Sequence, residues 1–397
     1  MFNKLPQTLL FSVTLVYAAF SHAQAPRPAP PAPAANPQIM AAPPQIAASS
    51  YILMDANSGA ILVEHNADER LPPASLVKLM TSYIGSLELI EGRISEQDEV
   101  LVSEEAWRKG GSKMFIEVGD RVPFIDLKRG IIIQSGNDAS IAMAEHIAGS
   151  EGAFADMMNS HAARLGMDNT NFTNATGWPD DNLYSTARDM AILAQAIIRD
   201  DREYYPIYKE KEFVWNGITQ SNRNRMLWRD SSVDGLKTGH TEAAGYCLVA
   251  SAERDGMRLI SVVMGTSSDA VRTAETQKLL TWGFRFFETK AFYQPGQVLS
   301  SARVWAGVND QVPVGLADGL MLTLPRGQAE KLDAGISLNG QIRAPIVSGD
   351  VLGEVVVRLE GEVIHTAPLV ALANVEQAGF FGRLWDSIKL FFLGLFN

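Results

Sequence analysis

Pro72-Pro73-Ala74-Ser75-Leu76-Val77-Lys78-Leu79-Met80 is the stretch on which the reading of this chain turns. Proline is tolerated at a helix entry and not in its interior, and the residues that follow recur with helical spacing, so a helix is predicted to start here with Ser75 in its first turn. Lys78 projects from the same face one turn later, close enough for its nitrogen to reach the serine hydroxyl. A serine hydroxyl is a weak nucleophile until a neighbouring base takes its proton, and a lysine that burial has stripped of its own proton can be that base. The partial positive charge of the helix start favours negative charge developing at Ser75. A serine followed three places later by lysine arises by chance about once in a chain of this length, so an exposed helix pair is the plain alternative.

Working outward, 397 residues suffice for two domains and a sizeable core. The net charge of -11 argues against nucleic acid as a partner. Residues 1–23 carry Lys4, an apolar run from Leu9 to Phe20 and then Ser21-His22-Ala23, the pattern of a secretory signal peptide cleaved after Ala23. Cys247 is the only cysteine, so the exported chain has no internal disulfide and must draw its stability from core packing. Residues 24–48 are rich in proline and alanine and read as an extended, disordered tether.

Folded structure is predicted over 49–291 and 292–376. Tyr51–Met54 and Ala60–Val63 flank Asp55-Ala56-Asn57-Ser58-Gly59 as a hairpin that delivers the chain to the Ser75 helix. Small and apolar residues from Ala139 to Ala148 suggest a buried helix with Ser135-Gly136-Asn137 at its mouth. Asn169 to Asn182 reads as a loop, and Ser185 to Asp189 opens a helix running to about Ile198. The β-rich runs around Lys237-Thr238-Gly239, Gly245–Ser251 and Leu259–Met264 suggest antiparallel strands, closed by an amphipathic helix from Thr276 to Phe287. Beyond about Gln294, short Val, Leu and Ile runs alternate with turns such as Asn339-Gly340, which predicts a small all-β sandwich.

Three elements then stand in order: Ser75-Leu76-Val77-Lys78, Ser135-Gly136-Asn137 and Lys237-Thr238-Gly239. Their joint, ordered occurrence by chance is expected in under about one chain in a hundred. In this set the chain resembles the low-molecular-mass penicillin-binding proteins of the D-alanyl-D-alanine carboxypeptidase type. The resemblance covers nearly everything after the tether, including Leu279–Thr289 and the ending Gly379-Phe380-Phe381-Gly382-Arg383.

That resemblance implies an α/β (α+β) penicillin-recognition, β-lactamase-like domain, an antiparallel sheet flanked by helices, followed by the β-sandwich. It implies a serine DD-peptidase that removes the terminal D-alanine from peptidoglycan pentapeptide stems and is covalently inhibited by β-lactams. Ser75 would be the nucleophile, Lys78 its general base and Ser135 a proton relay to the leaving nitrogen. Burial and a second cation, Lys237, would lower the pKa of Lys78. Asn137 would hold the substrate's backbone amide, although a helix cap is the commoner use of such a residue. Lys237 and Thr238 would bind the terminal carboxylate, and Gly239 leaves room for an extended peptide against the strand edge. The backbone N–H groups of Ser75 and His240 would form the oxyanion hole. Arg272 matches an arginine near the carboxylate site, with a surface ion pair as its alternative. No cofactor is expected: the histidines show no metal-ligand spacing, and His240 as a triad base is disfavoured because Lys78 fills that role.

The same motifs leave a DD-endopeptidase acting on cross-links open, and a β-lactam-binding protein with weak β-lactamase activity. The loop from Asn169 to Asn182 lacks the glutamate setting of class A β-lactamases, although Asp180 and Asp181 are there. A non-catalytic scaffold is disfavoured because every named chemical group is present. Finally, residues 377–397 place Phe381, Leu384, Trp385, Ile388, Phe392 and Leu395 on one helical face, with Arg383, Asp386 and Lys389 elsewhere. The segment falls short of the about 20 apolar residues that span a bilayer, so an amphipathic helix lying on the membrane fits better than one packed on its own β domain. The expected location is the periplasm, peripherally attached to the outer face of the inner membrane.

Overall fold

The computed structural model describes residues 42–395. The signal peptide 1–23 and most of the tether lie outside the described residues, as do Phe396 and Asn397.

The site is carried by a five-stranded antiparallel sheet in the order Ile61–His65, Ser50–Asp55, Met257–Thr266, Gly245–Arg254, Val233–Thr241. Successive side chains of a strand point to opposite faces, and the two faces are covered by different partners. Ile52, Met54, Val249, Ile260 and Val262 share a core with Leu76, Leu79, Met80, Ile141 and Leu193. Leu53, Leu248, Ala250, Leu259 and Val263 instead pack on Leu279, Leu280, Trp282 and Phe284 of the helix Asp269–Phe286. The Val233–Thr241 strand, which carries the Lys237 motif, is left as an edge.

The entry to the Ser75 helix differs in detail from the expectation. Ala74–Val77 form a 3-10 turn and the α-helix proper runs Lys78–Ile90. Ala74 has φ 48°, a left-handed conformation that an alanine adopts at a cost, and Leu76 N–H donates to the Pro73 carbonyl at 3.1 Å. The closing helix also begins earlier than expected, at Asp269, capped by Ser268 Oγ, which accepts from Val271 N–H at 3.2 Å. Arg272, Thr273, Glu275 and Thr276 lie buried on it, which masked its first half as an apolar-periodic segment.

The second region begins with the strand Phe287–Tyr293 rather than at 292. That strand pairs with Leu320–Pro325, opposite a five-stranded antiparallel sheet ordered Val298–Arg303, Gln311–Gly315, Glu362–Ala371, Val351–Leu359, Leu332–Leu338. Val312, Val314, Leu322, Val355, Val357 and Leu369 fill the space between them. The two regions are joined at the Asp55–Ser58 turn: Thr289 Oγ1 donates to Asp55 Oδ2 at 2.7 Å and Ser58 Oγ lies 2.6 Å from Thr323 Oγ1. The helix Phe380–Leu395 follows, held by Asp386, whose Oδ2 accepts from Ala306 N–H at 2.9 Å.

Candidate active site

Ser75 sits half-buried on the 3-10 turn, and Lys78 Nζ, fully buried, donates to its Oγ at 3.1 Å. The same ammonium position is held from two further sides. It donates to Asn137 Oδ1 at 2.7 Å and to the carbonyl of Thr176. The Thr176 carbonyl is aimed by a cage around Asn174 Oδ1, which accepts from the backbone N–H groups of Thr176, Gly177 and Trp178 at 3.1, 2.8 and 3.1 Å. A Cβ at Gly177 would fall on the Ala74 carbonyl, so only glycine lets this loop close on the Ser75 turn.

Asn137 opens the helix Asn137–Ala148 and spends both ends of its amide inside the protein, its Nδ2 donating to the Gly110 carbonyl at 2.7 Å. Ser135 lies beside it, buried and left-handed at φ 67°, between a π-turn over Gly130–Gln134 and that helix. The hydrogen bonds of Lys78 go to Ser75, Asn137 and Thr176 rather than to Ser135. Asp138, next in the chain, accepts from Met114 N–H and Phe115 N–H at 2.8 and 2.9 Å and so shapes the cleft wall beyond Gly111.

The edge strand closes the third side. A Cβ at Gly239 would meet Pro73 O at 3.1 Å and Ala74 Cβ at 3.3 Å, which puts the strand directly against the serine turn. Lys237 is buried, with its Nζ donating to the Thr238 carbonyl at 3.0 Å. His240 is exposed and packs on the Tyr246 ring, centroids 3.9 Å apart. Arg272 is no surface ion pair. It is buried, donates to the carbonyls of Gly239 and Cys247 at 3.0 and 3.3 Å, and is paired with Asp269 at 2.5 Å.

Burial pushes the Lys78 ammonium down to about 7, helped by the charges of Arg223 and Lys109 and opposed by Asp138 and Glu151. The expected cation, Lys237, is not among the groups that act on it most. Lys237 is itself pushed well down, by burial first and then by Lys78, Arg223 and Arg272. Arg223 is therefore the residue that sequence reading missed. It stands in the polar run Ser221-Asn222-Arg223-Asn224, where no local pattern separates it from an ordinary loop arginine. In the fold it lines, with Arg225, His240, Tyr246 and Arg272, a groove of about 590 Å³ on one side of the strand. A second groove of about 500 Å³ reaches the serine turn at Ala74, lined by Leu71, Ala74, Gly177, Asp181, Tyr184 and Thr241 among others. The cationic groove touches the strand Val233–Thr241 at His240, the second groove touches it at Thr241, and the serine turn lies against Gly239 of the same strand. A cationic groove near a serine paired with a basic amine suits a peptide that ends in a carboxylate.

Comparison with known proteins gives this arrangement its context. Residues 37–268 match the D-alanyl-D-alanine carboxypeptidase family, and residues 287–377 match the penicillin-binding protein 5 C-terminal domain. The chain is 47% identical over 372 residues to D-alanyl-D-alanine carboxypeptidase DacC of Escherichia coli, spanning 92% of each. It is 46% identical over 366 residues to DacA of Haemophilus influenzae, spanning 91% of this chain and 93% of that one. The crystal structure of penicillin binding protein 5 from Haemophilus influenzae superposes with a TM-score of 0.82 at 45% identity, over 85% of this chain and 100% of that one.

Proposed function

This chain belongs to the D-alanyl-D-alanine carboxypeptidase family, a group of serine hydrolases, and from that premise we propose that its reaction runs through an acyl-enzyme on Ser75. The observation that carries the reading is the buried Lys78 amine, its pKa near 7, 3.1 Å from the Ser75 hydroxyl. A pKa lowered this far gives Lys78 a free-amine form at neutral pH, which takes the Ser75 proton as Oγ attacks the carbonyl between the two terminal D-alanines. The oxyanion is met by the backbone N–H groups of Ser75 and His240, on two segments that Gly239 holds in contact. Collapse breaks the peptide bond, and Ser135 passes the proton from Lys78 to the leaving D-alanine nitrogen. Water then attacks the ester, with Lys78 again the base, and releases the shortened stem.

Binding follows from the two grooves. The terminal carboxylate lies in the cationic recess lined by Arg223, with Lys237 and Thr238 on the neighbouring strand, while Arg272 holds the Gly239 carbonyl. The acyl half pairs as an added strand on the outer edge of Val233–Thr241, with Asn137 exchanging an internal hydrogen bond for one to its amide and the second groove receiving its side chains. A β-lactam follows the same path as far as the acyl-enzyme.

The helix Phe380–Leu395 supports attachment to the outer face of the inner membrane in the periplasm. It exposes Phe381 at 83% and Phe391 at 66%, together with Trp385 and Phe392, an apolar surface that a lipid interface would cover. No helix among the described residues is long and apolar enough to cross a membrane.

The test is a fluorescent penicillin with Ser75→Ala, followed by mass spectrometry of a pentapeptide and of a cross-linked dimer. Loss of labelling and release of one D-alanine from the pentapeptide are expected. Continued covalent labelling would mean another nucleophile, and cleavage of the dimer alone would make the enzyme an endopeptidase.

A further inference from the structure

Lys128 is as deeply buried as Lys78, yet the reaction described above does not use it. It lies on the short helix Phe124–Arg129, which runs into the π-turn and so to Ser135 and Asn137. Its Nζ donates to the carbonyl and the hydroxyl of Ser82 at 3.0 and 2.9 Å, and to the hydroxyl of Ser86. Asp201 Oδ2 stands 3.4 Å away, wholly buried, and accepts from Ser86 Oγ at 2.5 Å. Lys78, Ser82 and Ser86 succeed one another by single turns on one face of the same helix, so the ammonium grips the helix just behind the general base.

The cluster also reaches the third motif. Tyr208 OH donates to Ser82 Oγ at 3.0 Å. A Cβ at Gly235, just before Leu236 and Lys237, would lie 3.4 Å from Tyr208 Cβ and 3.1 Å from Tyr205 OH, which itself donates to Asp234 at 2.8 Å. One buried ammonium thus bonds directly to the Ser75 helix, sits on the segment leading to Ser135, and backs the strand of Lys237 through Tyr208.

An apolar side chain could fill this space without the penalty of burying a charge, which is the common outcome when such pairs are replaced. The penalty is real here. Burial holds the Lys128 amine below its ordinary range against the pull of Asp201, and Asp201 Oδ1 finds no hydrogen-bond partner among the described residues. What the ammonium adds over packing is a set of directional bonds to separate segments. We propose that Lys128, with Asp201 and Tyr208, is a positioning residue that sets the register of the Ser75 helix against the Ser135 turn and the Lys237 strand. The inference rests on the acyl-enzyme reading, because what it positions is the amine of Lys78 over Ser75.

The test measures acylation by a fluorescent penicillin across pH on the full chain. The double variant Lys128→Met with Asp201→Asn removes both charges, so none is left buried without its partner. It should melt close to the parent, acylate at least about tenfold more slowly, and show a pH midpoint displaced upward as Lys78 loses its fixed surroundings. Parental rate and midpoint in a folded double variant would overturn the proposal and leave the cluster a purely structural one. If the double variant fails to fold, Tyr208→Phe removes a single hydroxyl. A severalfold slower acylation with the same upward displacement is expected of it, and no change would overturn the proposal. Peptide mapping of the labelled parent separates the two readings, since label off Ser75 sinks the acyl-enzyme itself, whereas label on Ser75 with indifferent variants sinks only the role of Lys128.

Discussion

The region up to Phe286 and the β-sandwich after it bury their interiors with different chemistry. The first hides Lys78, Lys128, Asp138, Lys237 and Arg272 among its apolar side chains. In the second, the buried side chains are those of Ala302, Val312, Leu322, Val355, Leu369 and their apolar neighbours, and beyond Thr276 no polar or charged residue is buried among the described residues. Burying a charge costs several kcal/mol, so a chain that does so repeatedly in one region and avoids it in another has separated its chemistry from its scaffolding. The lesson is that buried charge marks where the activity is built, and a plain apolar core marks what carries it.

That division can be attacked at its strongest point first. Lys78→Ala should stop acylation by a labelled penicillin while leaving the circular dichroism spectrum unchanged, and normal labelling would show that the buried amine is idle. Next in size is the pH response. Lys78 carries a proton below about 7 and sheds it above, so the acylation rate should climb between pH 6 and 8 and then level off. The same depressed pKa makes the folded state less stable at low pH: the unfolded lysine holds its proton up to its ordinary range, so the penalty is full below about 7 and fades as pH rises beyond it. Lys78→Met should accordingly melt higher than the parent at pH 6, by a margin on the order of a few kcal/mol, the opposite of what a purely structural lysine would do.

Arg223→Ala should raise KM for a D-alanine-terminated peptide about tenfold or more, equivalent to about 1.4 kcal/mol of carboxylate binding. Because Arg223 holds the Lys78 pKa down, the acylation midpoint should also move upward in this variant. In the sandwich the expectation reverses. Leu369→Ala should lower stability by about 2–5 kcal/mol and leave kcat/KM for a soluble pentapeptide at the parental value. A fall in kcat/KM would mean that the sandwich shapes the site through the Asp55–Thr289 joint. Removing residues 380–397 should have the smallest effect on soluble-peptide turnover, none, while abolishing co-sedimentation with anionic vesicles; lost turnover would make the tail part of the active fold.

Much of this was legible in the chain because it is local. The Ser75 to Lys78 spacing places two side chains on one helical face whatever surrounds them, and the apolar runs Tyr51–Met54 and Ala60–Val63 about the Asp55–Gly59 turn announce a hairpin. Asn339-Gly340 and its kin marked the turns of the sandwich. The 3-10 entry at Ala74 escaped because a left-handed alanine has no sequence signature, and the helix start at Asp269 escaped because its buried face is polar. Arg223 and the Thr176 carbonyl left no trace at all, the one a common loop residue and the other a backbone atom.

Which groups could do chemistry, and in what order they occur, was written into the chain, since a motif is a matter of residue type and short spacing. The fold alone settled what those groups are worth. The drop of the Lys78 pKa comes from burial under segments far apart in sequence and from the charge of Arg223, brought to it by the path of the chain. Lys128 and Asp201 meet in the same way, across 73 positions. Desolvation and long-range charge depend on distance in space, and neighbours along a sequence cannot report it.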